Sequence, residues 1–348
     1  MRPNEGAVLA NPEWDSIAAA LQGLRLLMSV NESDELFGKV VTVIGGSGFF
    51  GKHLAQELLS RGARLRIVSR NPERAFSLKP LGNLGQVAFA RCDVTRPQTL
   101  GPVIQNADAV INLVGAFKGD LDQIQQVGAA NVAKATAEAG VSTLVHVSAI
   151  GGNAASPIAY ARTKAEGEAA VQAAFPGATI VRPSLLFGPD DNFIQLFARL
   201  ISRFPVIPVF APEAKLQPVF VDDAAQAVSE IIAAASTHAG KVFEFGGPET
   251  VTMLDLNRRI AAAQERNRAF IELPDGAGSA LAAIARFLPG APINSDQYAL
   301  LRAGSVVSGA HPGFSELGIS PRPLDLFLDR WMVAYRRFGR FTERAPSA

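Results

Sequence analysis

The sequence predicts a doubly wound α/β fold, a parallel sheet with helices on both faces, joined to a smaller and mostly helical C-terminal lobe. Three features predict it. Between Lys39 and Gly188, short apolar runs alternate with alanine-rich stretches of helical length. The apolar runs are continuous rather than alternating, as in strands buried on both faces. The first run leads directly into a glycine-rich turn, VVTVIGGSGFFGKHL over 40–54, the connection that such sheets place between their first strand and first helix.

Taken in order, the spacing predicts strands at 40–44, 64–69, 86–90, 107–114, 142–148 and 178–182. Helices are expected between them at 51–61, 97–105, 121–139 and 158–174. Right-handed crossovers then stack the strands in parallel. Beyond Gly188 the alternation loosens. Residues 192–204 read as a helix, and 205–218 (PVIPVFAPEAKLQP), with four prolines, as loop or edge. PVFV at 218–221 reads as a strand before a helix at 222–235, KVFEFGG at 241–247 as another strand, and 253–268 as a charged amphipathic helix. The remainder to about 330 reads as mostly helical. The expected organisation is an N-terminal extension (1–38), a nucleotide-binding domain (39–188, with 216–247 returning to it), a second lobe (189–330) and a basic aromatic tail (331–348).

The 348 residues are 48% hydrophobic and 19% charged, enough for a sizeable core, with a net charge of +1 that gives no reason to expect a nucleic-acid partner. A single cysteine, Cys92, excludes a disulfide framework, and four scattered histidines never fall at a metal-ligand spacing, so no metal site is expected. No apolar run is long enough to span a bilayer. Residues 16–30 read as a short amphipathic helix rather than a signal peptide, because Glu5, Glu13 and Asp15 stand where a basic region belongs. Met28 is a second candidate start, since the fold signals begin at Lys39. A reducing, cytoplasmic setting is expected.

The glycine turn fits two phosphate loops. Gly46, Gly51 and Lys52 match part of a P-loop, but His53 stands where a magnesium-binding Ser or Thr is needed, and Phe49 and Phe50 fill the loop. Gly46-x-Gly48-x-x-Gly51 and Gly45-x-x-Gly48-x-x-Gly51 both match the dinucleotide fingerprint of a Rossmann domain, in which backbone approaches a pyrophosphate at a helix N-terminus. The second strand ends in Ser69 and Arg70 rather than in a carboxylate. A guanidinium suits a 2′-phosphate, so NADP(H) is expected over NAD(H), with Arg74 as a further donor. Asp93 after the third strand can bond the adenine amino group or cap the following helix. Gly115 lets the backbone after the fourth strand pass close to the cofactor. The expected contact set is Gly45, Ser47, Gly48, Phe49, Phe50, Gly51, Ser69, Arg70, Asp93, Val94, Val114, Gly115, Tyr160, Lys164 and Pro183.

Tyr160 and Lys164 lie four apart on the helix after the fifth strand, hence on one face. A nearby ammonium stabilises a phenolate and lowers its pKa, and can also hold the nicotinamide ribose. Tyr160 is the candidate acid/base, with Ser148 bonding the substrate oxygen. The bland alternative is a buried tyrosine beside a solvated lysine.

With Gly45–Gly51, Ser148, Tyr160-x-x-x-Lys164, Arg182-Pro183-Ser184-Leu185-Leu186-Phe187-Gly188-Pro189 and Val221-Asp222-Asp223 in this order, the chain resembles an extended or atypical short-chain dehydrogenase/reductase. INLVG (111–115), YARTKAEGEAAVQAAFPGATIVRPSLLFGPDDNFIQLFA (160–198) and QPVFVDD (217–223) more closely resemble the nucleotide-binding accessory subunit of mitochondrial respiratory complex I and its bacterial relatives. That resemblance implies a structural NADPH away from the electron path. The family's phosphate loop maps onto Gly45, Gly48 and Gly51, and its 2′-phosphate arginine onto Arg70. It also implies partners among the subunits of a respiratory NADH:quinone oxidoreductase, with at most peripheral contact at the inner face of the membrane. Gln125 stands where active members often carry Asn, Phe220 where a histidine is familiar, and Ile44 where Thr is usual. The alternative is an active NADP-dependent oxidoreductase or epimerase/dehydratase. The apolar PVIPVF (205–210) then points to a hydrophobic carbonyl, alcohol or quinone-like substrate. Arg330, Arg336, Arg337 and Arg340, interleaved with Trp331, Tyr335, Phe338 and Phe341, suit either an anionic surface or a helix docked on the core.

Overall fold

The computed structural model describes residues 34–274, 295–337 and 339. Seven strands form the central sheet: β1 (Val40–Ile44), β2 (Arg64–Ser69), β3 (Val87–Arg91), β4 (Ala109–Asn112), β5 (Thr143–Val147), β6 (Thr179–Pro183) and β7 (Val242–Phe245). Their order is β7-β6-β5-β4-β1-β2-β3, and every neighbouring pair is parallel. The direction of sheet growth reverses between β1 and β4, whose ends are level through the pairing of Ile44 with Asn112. Such a switch point leaves a crevice at the carboxyl ends of the strands.

Alternation along each strand sends side chains to two separate cores. Val41, Val43, Val145 and Val147 face helices α1 (Phe49–Ser60) and α5 (Val221–Ala233), burying Leu54, Leu58, Val228 and Ile231 with them. Ile44, Val110, Leu144 and Ile180 face α2 (Gly128–Glu138) and α3 (Ala159–Ala174), burying Val132 and Val171. The alanine-rich face of α5 lets it lie close against α1.

The second lobe has its own core. Phe187 and Phe197 pack there with Leu256 and Ile260, from α4 (Phe193–Arg203), α6 (Met253–Ala263) and the short strand Leu186–Phe187, which pairs in parallel with Val219–Phe220. Leu324, Leu328 and Met332 close it from and beside α7 (Asp325–Met332). The PVIPVF run alternates between the lobe core and the surface, with Val206 exposed. Val206–Val209 is a strand paired in parallel with Ala269–Glu272, and Ile207 and Val209 are buried in the lobe core. The strand at 269–272 falls where the sequence reads as helical, and Lys215–Leu216 pairs with Val251–Thr252.

Other differences have local causes. The 97–105 segment splits into a 3₁₀ turn, Pro97–Thr99, and a short helix, Gly101–Ile104, because Pro97 and Pro102 lack the donors a continuous helix needs. The expected 121–139 helix opens as a π turn, Asp122–Val127. The first part of the basic aromatic tail is spent inside the molecule. Trp331 stacks on Phe327 at 5.0 Å, the Tyr335 hydroxyl donates to Gln195 Oε1 at 2.6 Å, and Arg336 bonds the Ala263 carbonyl and pairs with Glu265. The expected helix at 16–30 and residues Phe338, Arg340 and Phe341 lie outside the described residues.

Candidate functional site

The glycine turn sits at the switch point. Gly45 has φ +87°, and a Cβ there would fall 3.1 Å from the Leu113 carbonyl carbon and 3.2 Å from the Val114 nitrogen. A Cβ on Gly51 would fall 2.6 Å from the Gly46 Cα, so α1 meets the turn backbone to backbone. Gly48 caps α1 without a side chain, and no acid stands in the first turn. The first amides of a helix lack intrahelical acceptors and carry the positive end of its dipole, which suits an anion. Ser47 is half-buried beside them. The side chains of Phe49 and Phe50 serve packing: Phe49 lies against Gly188 and edge-on to His53, and Phe50 packs against both the α1/α5 core and the core of the second lobe. His53, which removes the P-loop chemistry, is gripped by Asp222 at 2.6 Å and Asp190 at 3.0 Å, tying α1 to the second lobe.

At the end of β2 the Ser69 hydroxyl is buried without a partner among the described residues, and Arg70 is exposed, as is Arg74. Asp93 accepts from the Thr95 amide at 3.1 Å and the Thr95 hydroxyl at 2.8 Å, so one of its oxygens is committed to a local turn. Burial opposes its charge, but these bonds and the nearby Arg70 and Arg96 hold the carboxyl below its ordinary value. Val94 packs against Gly128 and accepts from Asn131, the Val114 amide donates to Asn112, and Pro183 is buried at the end of β6.

Helix α3 places Tyr160 and Lys164 one turn apart. Lys164 is buried, and its ammonium donates to the Val147 carbonyl at 3.3 Å. It lies 3.3 Å from the position a Cβ on Gly115 would take, so that glycine makes room for it. Burial lowers its pKa to about 8, with Glu168 pulling the other way. The Tyr160 ring stacks on Phe117, centroids 4.6 Å apart and planes 9° off parallel. Burial pushes Tyr160 up to about 12, opposite to the depression the spacing predicts, and the Lys164 ammonium is directed to Val147.

Ser148 is buried, and its hydroxyl has no partner among the described residues. Two residues earlier, His146 is buried on the same side of the sheet. Its Nδ1 lies 3.1 Å from Asn112 Nδ2, and Asn112 Oδ1 takes the Val114 amide. The amide nitrogen is therefore the donor, and the neutral imidazole carries its proton on Nε2, which is buried without a partner among the described residues. Burial and the Lys164 charge depress His146 to about 3. Gln125, from the π turn, donates to Thr163 at 2.9 Å, and its Oε1 also has no partner among the described residues. Gly167 admits that turn, since a Cβ there would strike the Gln125 carbonyl oxygen.

Buried polar atoms in folded proteins are nearly always bonded. Unpartnered hydroxyl, imidazole and amide atoms beside a glycine cradle therefore fit a polar ligand along this crevice. The sequence reading missed Phe117, His146 and the double grip on His53. A histidine within the apolar run LVHV was the one available signal.

The model of the NAD dependent epimerase/dehydratase family matches residues 41–246. The chain belongs to that family. It is an NAD(P)-binding family. Over 300 residues the chain is 31% identical to "NADH dehydrogenase [ubiquinone] 1 alpha subcomplex subunit 9, mitochondrial" of Rattus norvegicus, covering 83% of this chain and 78% of the relative. The Arabidopsis thaliana protein of the same name is 29% identical over 87% of this chain and 79% of the relative. The chain is thus homologous to these complex I accessory subunits. It is also 30% identical to the "Ceramide reductase" of Caulobacter vibrioides, over 68% of this chain and 74% of that protein. Among solved structures, the Citrobacter triphenylmethane reductase complexed with NADP(H) shares the fold of this family member, with a TM-score of 0.68 and 19% identity over 84% of this chain and 99% of that one. Among the described residues no helix is long and apolar enough to cross a membrane.

Proposed function

We propose that the protein is an accessory or assembly component of a respiratory NADH:quinone oxidoreductase that holds NADP(H) as a structural element. The observation that carries this is the extent of the similarity. It runs through both lobes of the complex I subunits, over 83–87% of this chain, instead of stopping at the nucleotide domain. Gly45, Gly48 and Gly51 with the first amides of α1 would hold the pyrophosphate, Arg70 and Ser69 the 2′-phosphate, and Lys164 the nicotinamide ribose. The absence of a carboxylate at the end of β2 favours NADP(H) over NAD(H). The work would be done at the inner face of the respiratory membrane, by peripheral contact.

Native purification from membranes, with mass spectrometry of bound nucleotide and bound proteins, tests the reading. NADP(H) near one per chain and co-purifying respiratory subunits are expected. NAD(H) in its place, or no respiratory subunit, overturns it.

A second reading is a working NADP-dependent reductase of an apolar carbonyl, favoured by the similarity to the Caulobacter reductase. Bound nicotinamide would supply the hydride. Tyr160 would exchange the proton, Lys164 would hold the ribose, and Ser148 would orient the substrate oxygen.

A further inference from the structure

His53, near the start of α1, has a carboxylate at each ring nitrogen. Asp222, from the first turn of α5, lies 2.6 Å from Nδ1, and Asp190, from the loop that opens the second lobe, lies 3.0 Å from Nε2. A neutral imidazole offers one N–H and one lone pair, whereas a carboxylate only accepts. Both contacts are hydrogen bonds only when His53 carries a proton on each nitrogen. The loop is pressed against this spot. A Cβ on Gly188 would fall 2.8 Å from Val221 Cγ1 and 3.0 Å from Phe49 Cζ, and the Phe49 ring stands edge-on to the imidazole at 5.3 Å. Asp191, the next acid, is buried and accepts from the Gly188 and Ile194 amides. No other hydrogen bond among the described residues joins α1 to the 188–192 loop. The other charged groups nearby are occupied or apart. Glu57, one turn further along α1, accepts from Ser229 and faces Arg61, and Asp223 on α5 is taken by Arg322. Lys52 makes no ion pair among the described residues.

We propose that His53 is a pH-sensitive clasp between the lobes: as the imidazolium it holds Asp222 and Asp190 together, and on losing its proton it keeps Asp222, the shorter contact, and releases the 188–192 loop. Without that proton, a bare ring nitrogen faces the Asp190 carboxylate lone pair to lone pair. Burial opposes the charge on His53, but the bonds to Asp222 and Asp190 outweigh it and hold its pKa above the ordinary value near 6.5. The clasp is therefore whole below pH 6.5 and is lost as the pH rises through the folded value. The Arg322–Asp223 pair and the packing of Phe50 remain, so the lobes loosen at this corner without parting.

NMR of the full chain, labelled with nitrogen-15 at histidine and titrated from about pH 6 to 9, tests it. The resonances missing from His53→Gln assign His53 among the four histidines. Protons on both ring nitrogens are expected at the acid end, with a midpoint above 6.5 that falls in Asp190→Ala. A midpoint at or below 6.5, or one unmoved by Asp190→Ala, overturns the clasp. Hydrogen exchange read by mass spectrometry reports on the loop. Corrected for the intrinsic effect of pH, exchange within 188–193 is expected to quicken about threefold or more across the His53 titration, the size of one partly exposed ion pair, and to show no such step in Asp190→Ala. A flat wild-type profile, or a step retained by Asp190→Ala, overturns it as well. No nucleotide is needed for either readout.

Discussion

His146 shows how one side chain fixes a pH response. Its proton is assigned by Asn112, its Nε2 is shut away, and its folded pKa is about 3 against an ordinary value near 6.5. Above pH 6.5 it is neutral whether the chain is folded or unfolded. As the pH falls from 6.5 towards 3, the unfolded chain binds a proton that the folded chain refuses. Stability therefore drops by up to about 1.4 kcal/mol per pH unit from this group. Urea unfolding between pH 7 and 4.5 is expected to show a steeper decline for wild type than for His146→Gln, which binds no such proton. Equal slopes would mean that His146 is not held neutral. The sequence reading named Tyr160, Lys164, Gly51 and Arg70 because local spacing defines their chemistry. It could not name Phe117 or the His146–Asn112 pair, whose significance arises from contacts between segments far apart in the chain.

At the scale of elements, the turn into α1 depends on a side chain being absent. The nearest atoms to a Cβ at position 51 are backbone atoms of Gly46, which cannot swing aside. Gly51→Ala is expected to cost about 1–3 kcal/mol of stability, as overpacking does, and to weaken nucleotide binding by displacing the first turn of α1. Denaturant unfolding and calorimetry check the two effects, and a variant with wild-type stability would refute the close approach. The strands were legible because continuous apolar runs have one common explanation in a sheet covered on both faces. The π turn at 122–127 was not, since the space for it is granted by Gly167 on another helix. Nor was the strand at 206–209, whose partner at 269–272 lies some sixty residues further on.

For the whole molecule, the decisive joint lies between α5 and the segment before α7. Asp223 is buried, and its two oxygens accept from Arg322, at 2.6 Å from Nε and 2.7 Å from the backbone amide. The same guanidinium sits 4.4 Å over the ring of Phe220, which stacks on Phe327 at 4.1 Å. Phe220, which stands where a histidine is familiar, is therefore part of this joint. Arg322→Ala leaves a buried carboxylate with half its partners, and a loss of about 3 kcal/mol is expected in chemical denaturation. Arg322→Lys should recover only part of it, because an ammonium cannot reproduce the planar fork. A loss below about 0.5 kcal/mol, the level of an ordinary surface substitution, would show that the joint is dispensable.

Leu324, Leu328 and Met332 reach back to cover Phe187, Phe197 and Leu256. A nascent chain therefore leaves that greasy pocket bare until the segment from Leu324 onward clears the ribosome. Chaperones meet it in that interval, and a premature stop upstream of Asp325 yields a sticky product for proteolysis rather than a shorter working protein.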